Sequence, residues 1–384
     1  MTHSGLILDP NILAAPTYNR GMTVKNLPSS VNPTDMVQMA SNENPLGPSP
    51  QVITAVQSEA WRLSVYPPGD GEQNLRAALA EMHGRSGNGR YLTADNIIVG
   101  NGGLDVLDFV ARGFAKPGDE IIISHPTFNF FEITARRLGA SIVNVPLDSG
   151  FDYDVEAVLA AVTEKTRVVY VCNPNNPTGN LVSAASIDHL MQNLPERVLV
   201  LSDEAYNHFA DDTFPDTGKY IHQGRNLLQL HSFSKVFGLA GLRLGYGITR
   251  PEIAEYLARL KRPFHLGRLT IIAGLTAVND QSHVQKTIKT MVSGRGWLTN
   301  QLTELGLKVY PSHGNFLLMA AGIPGQELTQ QLLQYGIIVS SGQQRFGLPD
   351  HIRVTVGLPE HNQRLVEAMA SILKSYKALL ETRN

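Results

Sequence analysis

The chain has 384 residues, 42% hydrophobic and 17% charged, with a formal net charge of −2. That length suits a large domain with a smaller partner, and the charge balance excludes a basic whole-chain field for nucleic acid or anionic membrane. The single cysteine, Cys172, excludes an intrachain disulfide and a cysteine-rich metal site, and its place at the end of an apolar run reads as a buried structural thiol.

Taken in order, residues 1–35 mix Pro, Asn, Gly and Thr and read as an arm rather than a packed unit. No basic start with an apolar core opens the chain, and no apolar run reaches the roughly 18 residues of a membrane span, so the expectation is a cytoplasmic protein. From about residue 51 strand-like and helix-like segments alternate. "NIIVG" (96–100), "DEIIIS" (119–124), "SIVNVP" (141–146), "RVVYVC" (167–172) and "RVLVLSD" (197–203) are the strands. "LDVLDFVARGFA" (104–115), "FFEITARRLG" (130–139) and "DVEAVLAAV" (154–162) carry helical spacing. The strands are nearly continuous apolar runs, as in a mostly parallel sheet with helices on both faces. Long helical stretches follow "PEIAEYLARLKRP" (251–263) to about residue 305, and "LKVYP", "NFLLM", "GIIVS" and "HIRVTVG" then alternate strands and helices on a smaller scale. The predicted fold is α/β: an N-terminal arm over 1–50 contributing to the small domain and the active site, a large domain over 51–270, and a small α+β domain over 271–384.

Ligands of open α/β sheets lie beyond the carboxyl ends of the strands, so the polar residues there are the candidate site. "GNGGLD" (100–105) runs into a helix, where backbone N–H groups at Gly102, Gly103 and Leu104 can face an anion. "HPTFNF" (125–130) supplies Phe128, and "NPNNPTG" (173–179) is a rigid turn presenting the Asn176 amide. "DEAY" (203–206) sets Asp203 at a strand end with Tyr206 beside it, and "SFSK" (232–235) offers Ser232, Ser234 and Lys235, with Arg243 eight residues on. There is no zinc-protease H-E-x-x-H and no G-x-S-x-G elbow. A phosphorylated aromatic aldehyde would use every member of the set. The lysine can form a Schiff base with it, the serines, arginine and glycine-rich backbone can hold a phosphate, and a buried carboxylate can keep a ring nitrogen protonated. Pyridoxal 5′-phosphate is such a molecule.

With "SNENPLGPSP" (41–50), "YPPGDGEQNLRAALA" (66–80) and "HIRVTVGLPEHN" (351–362) added to these motifs, the chain resembles the class I/II aminotransferases of fold type I, in their histidinol-phosphate aminotransferase-like branch. The resemblance implies that Lys235 anchors the cofactor, Asp203 meets the pyridine nitrogen, Asn176 and Tyr206 bond the ring oxygen, and Phe128 stacks on the ring. Ser232, Ser234, Arg243, Gly102, Gly103 and Leu104 would bind the phosphate, although the branch usually has an acidic residue where Leu104 stands. It implies that Tyr66 reaches the cofactor of a neighbouring subunit in a homodimer with shared sites. It further implies that Arg353 receives the substrate's anionic group, with Tyr18, Asn44 and Asn176 on the substrate side. The second phosphate-gripping arginine of the branch is replaced by Ser340, and Arg345 in the following loop is a candidate substitute. The expected reaction is therefore transamination from an ordinary α-amino acid to a 2-oxo acid. Histidinol phosphate as substrate, decarboxylation as in threonine-phosphate decarboxylase, and oxygen-dependent oxidation of arginine stay open. Asp211, Asp212 and Asp216 are compatible with a basic amino acid and equally with plain solvation. A ligand-sensing domain of a transcription regulator is disfavoured, because the arm is short and not basic.

Overall fold

A computed structural model describes residues 7–18, 35–84 and 92–381. Seven strands form the main sheet: β2 (Ile97–Gly100), β3 (Glu120–Ile123), β4 (Ser141–Asn144), β5 (Thr166–Cys172), β6 (Leu199–Asp203), β7 (Leu227–Ser232) and β8 (Gly245–Ile248), preceded in the chain by the short β1 (Val37–Gln38). Their order is β2-β8-β7-β6-β5-β3-β4, and β8 alone runs antiparallel to its neighbours. Adjacent residues point to opposite faces, so Ile121 and Ile123 join one apolar cluster while Ile122 joins the other. Helices cover both faces, which is why the parallel strands show no polar alternation. The strand β8 has no counterpart among the predicted strands. Two glycines in its "GYGI" hide the β-branched signal, and their reason is packing: a Cβ on Gly245 would lie 2.3 Å from the Gly103 amide nitrogen.

A separate sheet of β9 (Lys308–Val309), β10 (Phe316–Ala320), β12 (Ser340–Ser341) and β13 (His351–Thr355) is antiparallel, in the order β12-β13-β10-β9. Beside it, β1 pairs in parallel with β11 (Ile337–Ile338), and the Thr355 amide donates to the Met39 carbonyl at 2.8 Å. The segment before the large sheet thus returns to the small one. The helix Gln281–Glu304, about 36 Å long at the usual rise, joins the two regions. Its Arg295 Nη1 donates to the carbonyls of Phe209 at 2.9 Å and Gly314 at 2.7 Å. The architecture is a large mostly parallel sheet with a smaller domain built on an antiparallel sheet, as the resemblance implies. Among the described residues no helix is long and apolar enough to cross a membrane.

Candidate active site

The carboxyl ends of β5, β6 and β7 open into a cavity of about 770 Å³ whose far wall comes from the small sheet and the residue 41–43 segment. Its floor is built strand by strand. Asp203 ends β6, opposite Cys172 on β5, and is buried. Burial pushes its carboxyl up to about 6, against the opposing hydroxyl of Tyr170, the Ala205 amide and the Lys235 charge. Ser232 ends β7, and the turn after it carries Ser234 and Lys235 into the cavity. Lys235 Nζ donates to the Ser41 carbonyl at 3.2 Å. Burial, then the Arg353 guanidinium, pull the ammonium down to about 7. Cys172 also touches the cavity, but its thiol is held in the neutral form by burial and is a poor nucleophile there.

At one end of the floor is an anion cradle. The helix Gly103–Phe114 starts there with Gly102 as its N-cap at φ 90, a conformation that favours glycine. Asp105 Oδ2 accepts from the Asn101 amide at 2.8 Å and closes the turn. Arg243 lies directly against it: a Cβ on Gly102 would fall 2.4 Å from Arg243 Nη2. Gly103, Leu104, Ser232, Ser234 and Arg243 all line the cavity. A helix N-terminus, two hydroxyls and a guanidinium converge where only glycine leaves room, and a phosphate fits that donor set.

The opposite wall holds a second set of donors. Tyr206 Oη accepts from Asn42 Nδ2 at 3.0 Å and Asn176 Nδ2 at 3.3 Å, which leaves its own hydrogen free to donate. Arg353, 2% exposed, gives Nη1 to Asn176 Oδ1 at 2.6 Å and Nη2 to the Ala40 carbonyl, while its buried Nε has no partner among the described residues. An orphaned guanidinium donor in a buried wall is matched to an anion. Burial, with the nearby Arg345 charge next, brings Arg353 down to about 10. The register Ser340↔Arg353 places those two side chains on one face of the small sheet, where the serine brings no charge. The second cation arrives instead from the short helix Gly342–Phe346: Arg345 lines the cavity and gives Nη2 to the Tyr18 hydroxyl at 3.0 Å. Tyr18 in turn packs edge-on against Phe128 at 6.0 Å and Phe130 at 5.9 Å.

Thirteen of the fifteen sequence-selected residues therefore meet at this cavity or its cradle, and two do not. Asn44 is turned away: its Nδ2 donates to the Val236 carbonyl at 3.1 Å and to Thr287 Oγ1 at 3.3 Å. Asn42 takes the cavity position, because its backbone adopts φ 53 and swings its amide toward Tyr206. Tyr66 lies outside, 71% exposed and stacked on Phe264 at 4.3 Å. Asp211, Asp212 and Asp216 are not among the cavity's lining residues. Sequence reasoning missed Asn42, Glu43 and Tyr170. The first two lie in the quoted "SNEN", and Tyr170 is one more bulky residue of an apolar strand.

Residues 34–369 match the family described as aminotransferase class I and II. The chain is 38% identical to the histidinol-phosphate aminotransferase of Moorella thermoacetica, over 94% of this chain and 92% of that protein. It is 37% identical to that of Akkermansia muciniphila, over 94% and 98%. Among solved structures it is similar to the histidinol-phosphate aminotransferase from Sinorhizobium meliloti in complex with pyridoxal-5′-phosphate, with TM-score 0.85, 25% identity, and 96% and 98% of the two chains covered. A Thermus thermophilus aspartate aminotransferase double mutant matches with TM-score 0.82 and 25% identity over 96% of this chain and all of that one. The chain belongs to the class I and II aminotransferases and is a pyridoxal-phosphate-dependent transaminase.

Proposed function

We propose that Lys235 is the covalent anchor and proton carrier of an amino transfer from an α-amino acid to a 2-oxo acid. The observation that carries this is the convergence on one cavity of a depressed lysine, a buried strand-end carboxylate and an arginine with an unpartnered Nε. When bound, pyridoxal phosphate supplies a conjugated electron-withdrawing ring, which makes the α-proton of an attached amino acid removable. Asp203 would hold the ring nitrogen, Asn176 and Tyr206 the ring oxygen, and Phe128 one ring face. The Gly102–Leu104 backbone, Ser232, Ser234 and Arg243 would hold the phosphate. Lys235 would anchor the cofactor and serve as the base for the α-proton, and the burial and Arg353 charge that lower its affinity for protons suit it to work near neutral pH. Tyr18 and Phe128, packed edge-on at this cavity, would help shield that region from water.

The substrate carboxylate would meet Arg353, whose Asn176 contact fixes the plane of the guanidinium. A second reading, histidinol phosphate as substrate, is favoured by Arg345, which restores a paired cationic grip despite Ser340. A panel of amino donors with 2-oxoglutarate, run with and without oxygen while peroxide is followed, decides between them. Turnover of ordinary amino acids ahead of histidinol phosphate supports the first reading. Efficient histidinol-phosphate turnover that Arg345→Gln abolishes establishes the second. Peroxide formed without any keto acid would make the chain an oxidase, and carbon dioxide release a decarboxylase.

We further propose a homodimer with shared sites. Tyr66 is exposed and stacked on the exposed Phe264, in a stretch whose Trp61, Leu63 and Val65 are exposed as well, and its carbonyl is held by Arg268 Nη2 at 2.6 Å. A second copy covering this apolar patch would receive the Tyr66 hydroxyl. Tyr66→Phe should then lower cofactor affinity several-fold, and full activity in a strictly monomeric form would refute the proposal. For function we divide the chain into an arm to residue 50, a cofactor-binding domain over 51–270 and a small domain over 271–384. The large sheet falls wholly within the second, and the β1–β11 pairing supports assigning the arm to the third.

A further inference from the structure

The strand β5 sets one tyrosine among its valines. Tyr170 is 1% exposed, packed at 5.5 Å and 30° against Phe131, and it donates its hydroxyl to Asp203 Oδ2 at 2.9 Å. A phenylalanine would pack equally well there, and burying a hydroxyl is unfavourable unless it is bonded. We propose that Tyr170 is a positioning residue for the reaction: its hydroxyl, given to Asp203 Oδ2, holds that carboxylate oriented for the cofactor's ring nitrogen. The inference rests on the reading that Asp203 meets that nitrogen.

The geometry leaves this task to Tyr170 almost alone. The neighbouring candidate, Cys172, turns its thiol to the Pro174 carbonyl at 3.5 Å instead. Among the described residues the other carboxylate oxygen has only the Ala205 amide, at a long 3.3 Å. Burial drives Asp203 toward its neutral form, and the Tyr170 hydroxyl is the largest influence opposing it. Burial and the Asp203 charge both push Tyr170 itself upward, so it keeps its proton and acts only as donor. A neutral Asp203 would lose its electrostatic attraction for a protonated ring nitrogen, and with it part of the affinity for the cofactor.

The test measures pyridoxal-phosphate affinity of the full-length apoenzyme for wild type, Tyr170→Phe, Asp203→Ala and the double variant, with the melting point of each. Tyr170→Phe should weaken binding about tenfold, as expected for a lost hydrogen bond to a charged group, while melting near wild type. In the Asp203→Ala background the same change should add nothing, because the hydroxyl has lost the group it acts on. Tyr153→Phe is the control: it removes a buried hydroxyl that lines the same small cavity as Tyr170 but does not bond Asp203, and affinity should hold. Unchanged affinity in Tyr170→Phe, a penalty that persists in full without Asp203, or an equal loss in Tyr153→Phe would each overturn the inference. An Asp203→Ala protein that binds like wild type would instead overturn the placement of Asp203 on which it rests.

Discussion

The floor and the wall of this cavity are made in different ways. The floor lies at the ends of consecutive parallel strands, so each chemical residue sits directly after an apolar run: Asp203 after "LVLS", Ser232 to Lys235 after "LLQLH". The wall is assembled from Tyr18, Asn42, a short helix with Arg345 and a strand with Arg353, segments brought together only by tertiary structure. The floor's place is thus a property of topology, set by this strand order, and its residues carry the lysine, carboxylate and hydroxyl chemistry. The wall can change one residue at a time, and it is where a substrate would be chosen.

If that division holds, floor substitutions should destroy turnover for every substrate. Lys235→Ala is expected to lower it at least about a thousandfold, with melting nearly unchanged because the amine contributes one hydrogen bond to the fold. Borohydride treatment of the wild type should fix the cofactor on this lysine. A label on any other lysine, or measurable turnover by the variant, would break the comparison at its strongest point.

Wall substitutions should instead separate substrates. Arg353→Ala removes the buried guanidinium and should lower kcat/KM about a hundredfold for all amino donors, in line with losing charge-assisted hydrogen bonds. Arg345→Gln should cost about tenfold only for donors or acceptors with a second anionic group, and almost nothing for donors with uncharged side chains. Equal losses on both classes would mean that Arg345 supports the wall rather than reading the substrate.

Legibility in the sequence follows the same line. The strands and their terminal polar residues could be placed because a parallel sheet buried on both faces writes itself as apolar runs with abrupt ends. The strand β8 could not, since Gly245 and Gly247 are there to admit a helix and carry no strand propensity. Asn42 and Asn44 are indistinguishable in "SNEN"; the left-handed backbone at Asn42 decides which faces the cavity, and no local pattern announces it. Arg345 could be nominated but not placed, because its position depends on how a five-residue helix is carried by the small sheet. Tyr170 was invisible for the opposite reason: β5 is buried on both faces, so nothing marks one of its bulky residues as polar in purpose.

The floor's lysine also permits a pH test. An ordinary lysine titrates near 10.4, but burial first and then Arg353 lower Lys235 to about 7, with Arg345 and Arg243 acting in the same direction and Glu43 opposing them. The unprotonated amine is the form that attacks an aldehyde, so it predominates above that value. The rate of pyridoxal-phosphate capture by the apoenzyme should rise about tenfold per pH unit below about 7 and level off above it. A rate still climbing steeply toward the ordinary lysine range would show that the cavity does not depress this amine.

The smallest expected effect concerns the two asparagines that the sequence could not tell apart. Asn44 makes only internal bonds: Nδ2 to the Val236 carbonyl and Thr287 Oγ1, and Oδ1 accepting from the Leu46 amide at 3.0 Å. Asn44→Ala leaves the Val236 carbonyl without that donor and should destabilise the fold by about 2 kcal/mol, with KM for the amino donor changed less than about twofold. Asn42→Ala deletes a donor to the Tyr206 hydroxyl and the acceptor of Thr355 Oγ1 at a position with φ 53, so it should alter the kinetics and also lower the melting point. Denaturant melts and KM values for the pair check both. If Asn44→Ala instead raised KM sharply with unchanged stability, Asn44 would belong to the wall, and the boundary drawn between substrate-reading and fold-holding residues would have to move.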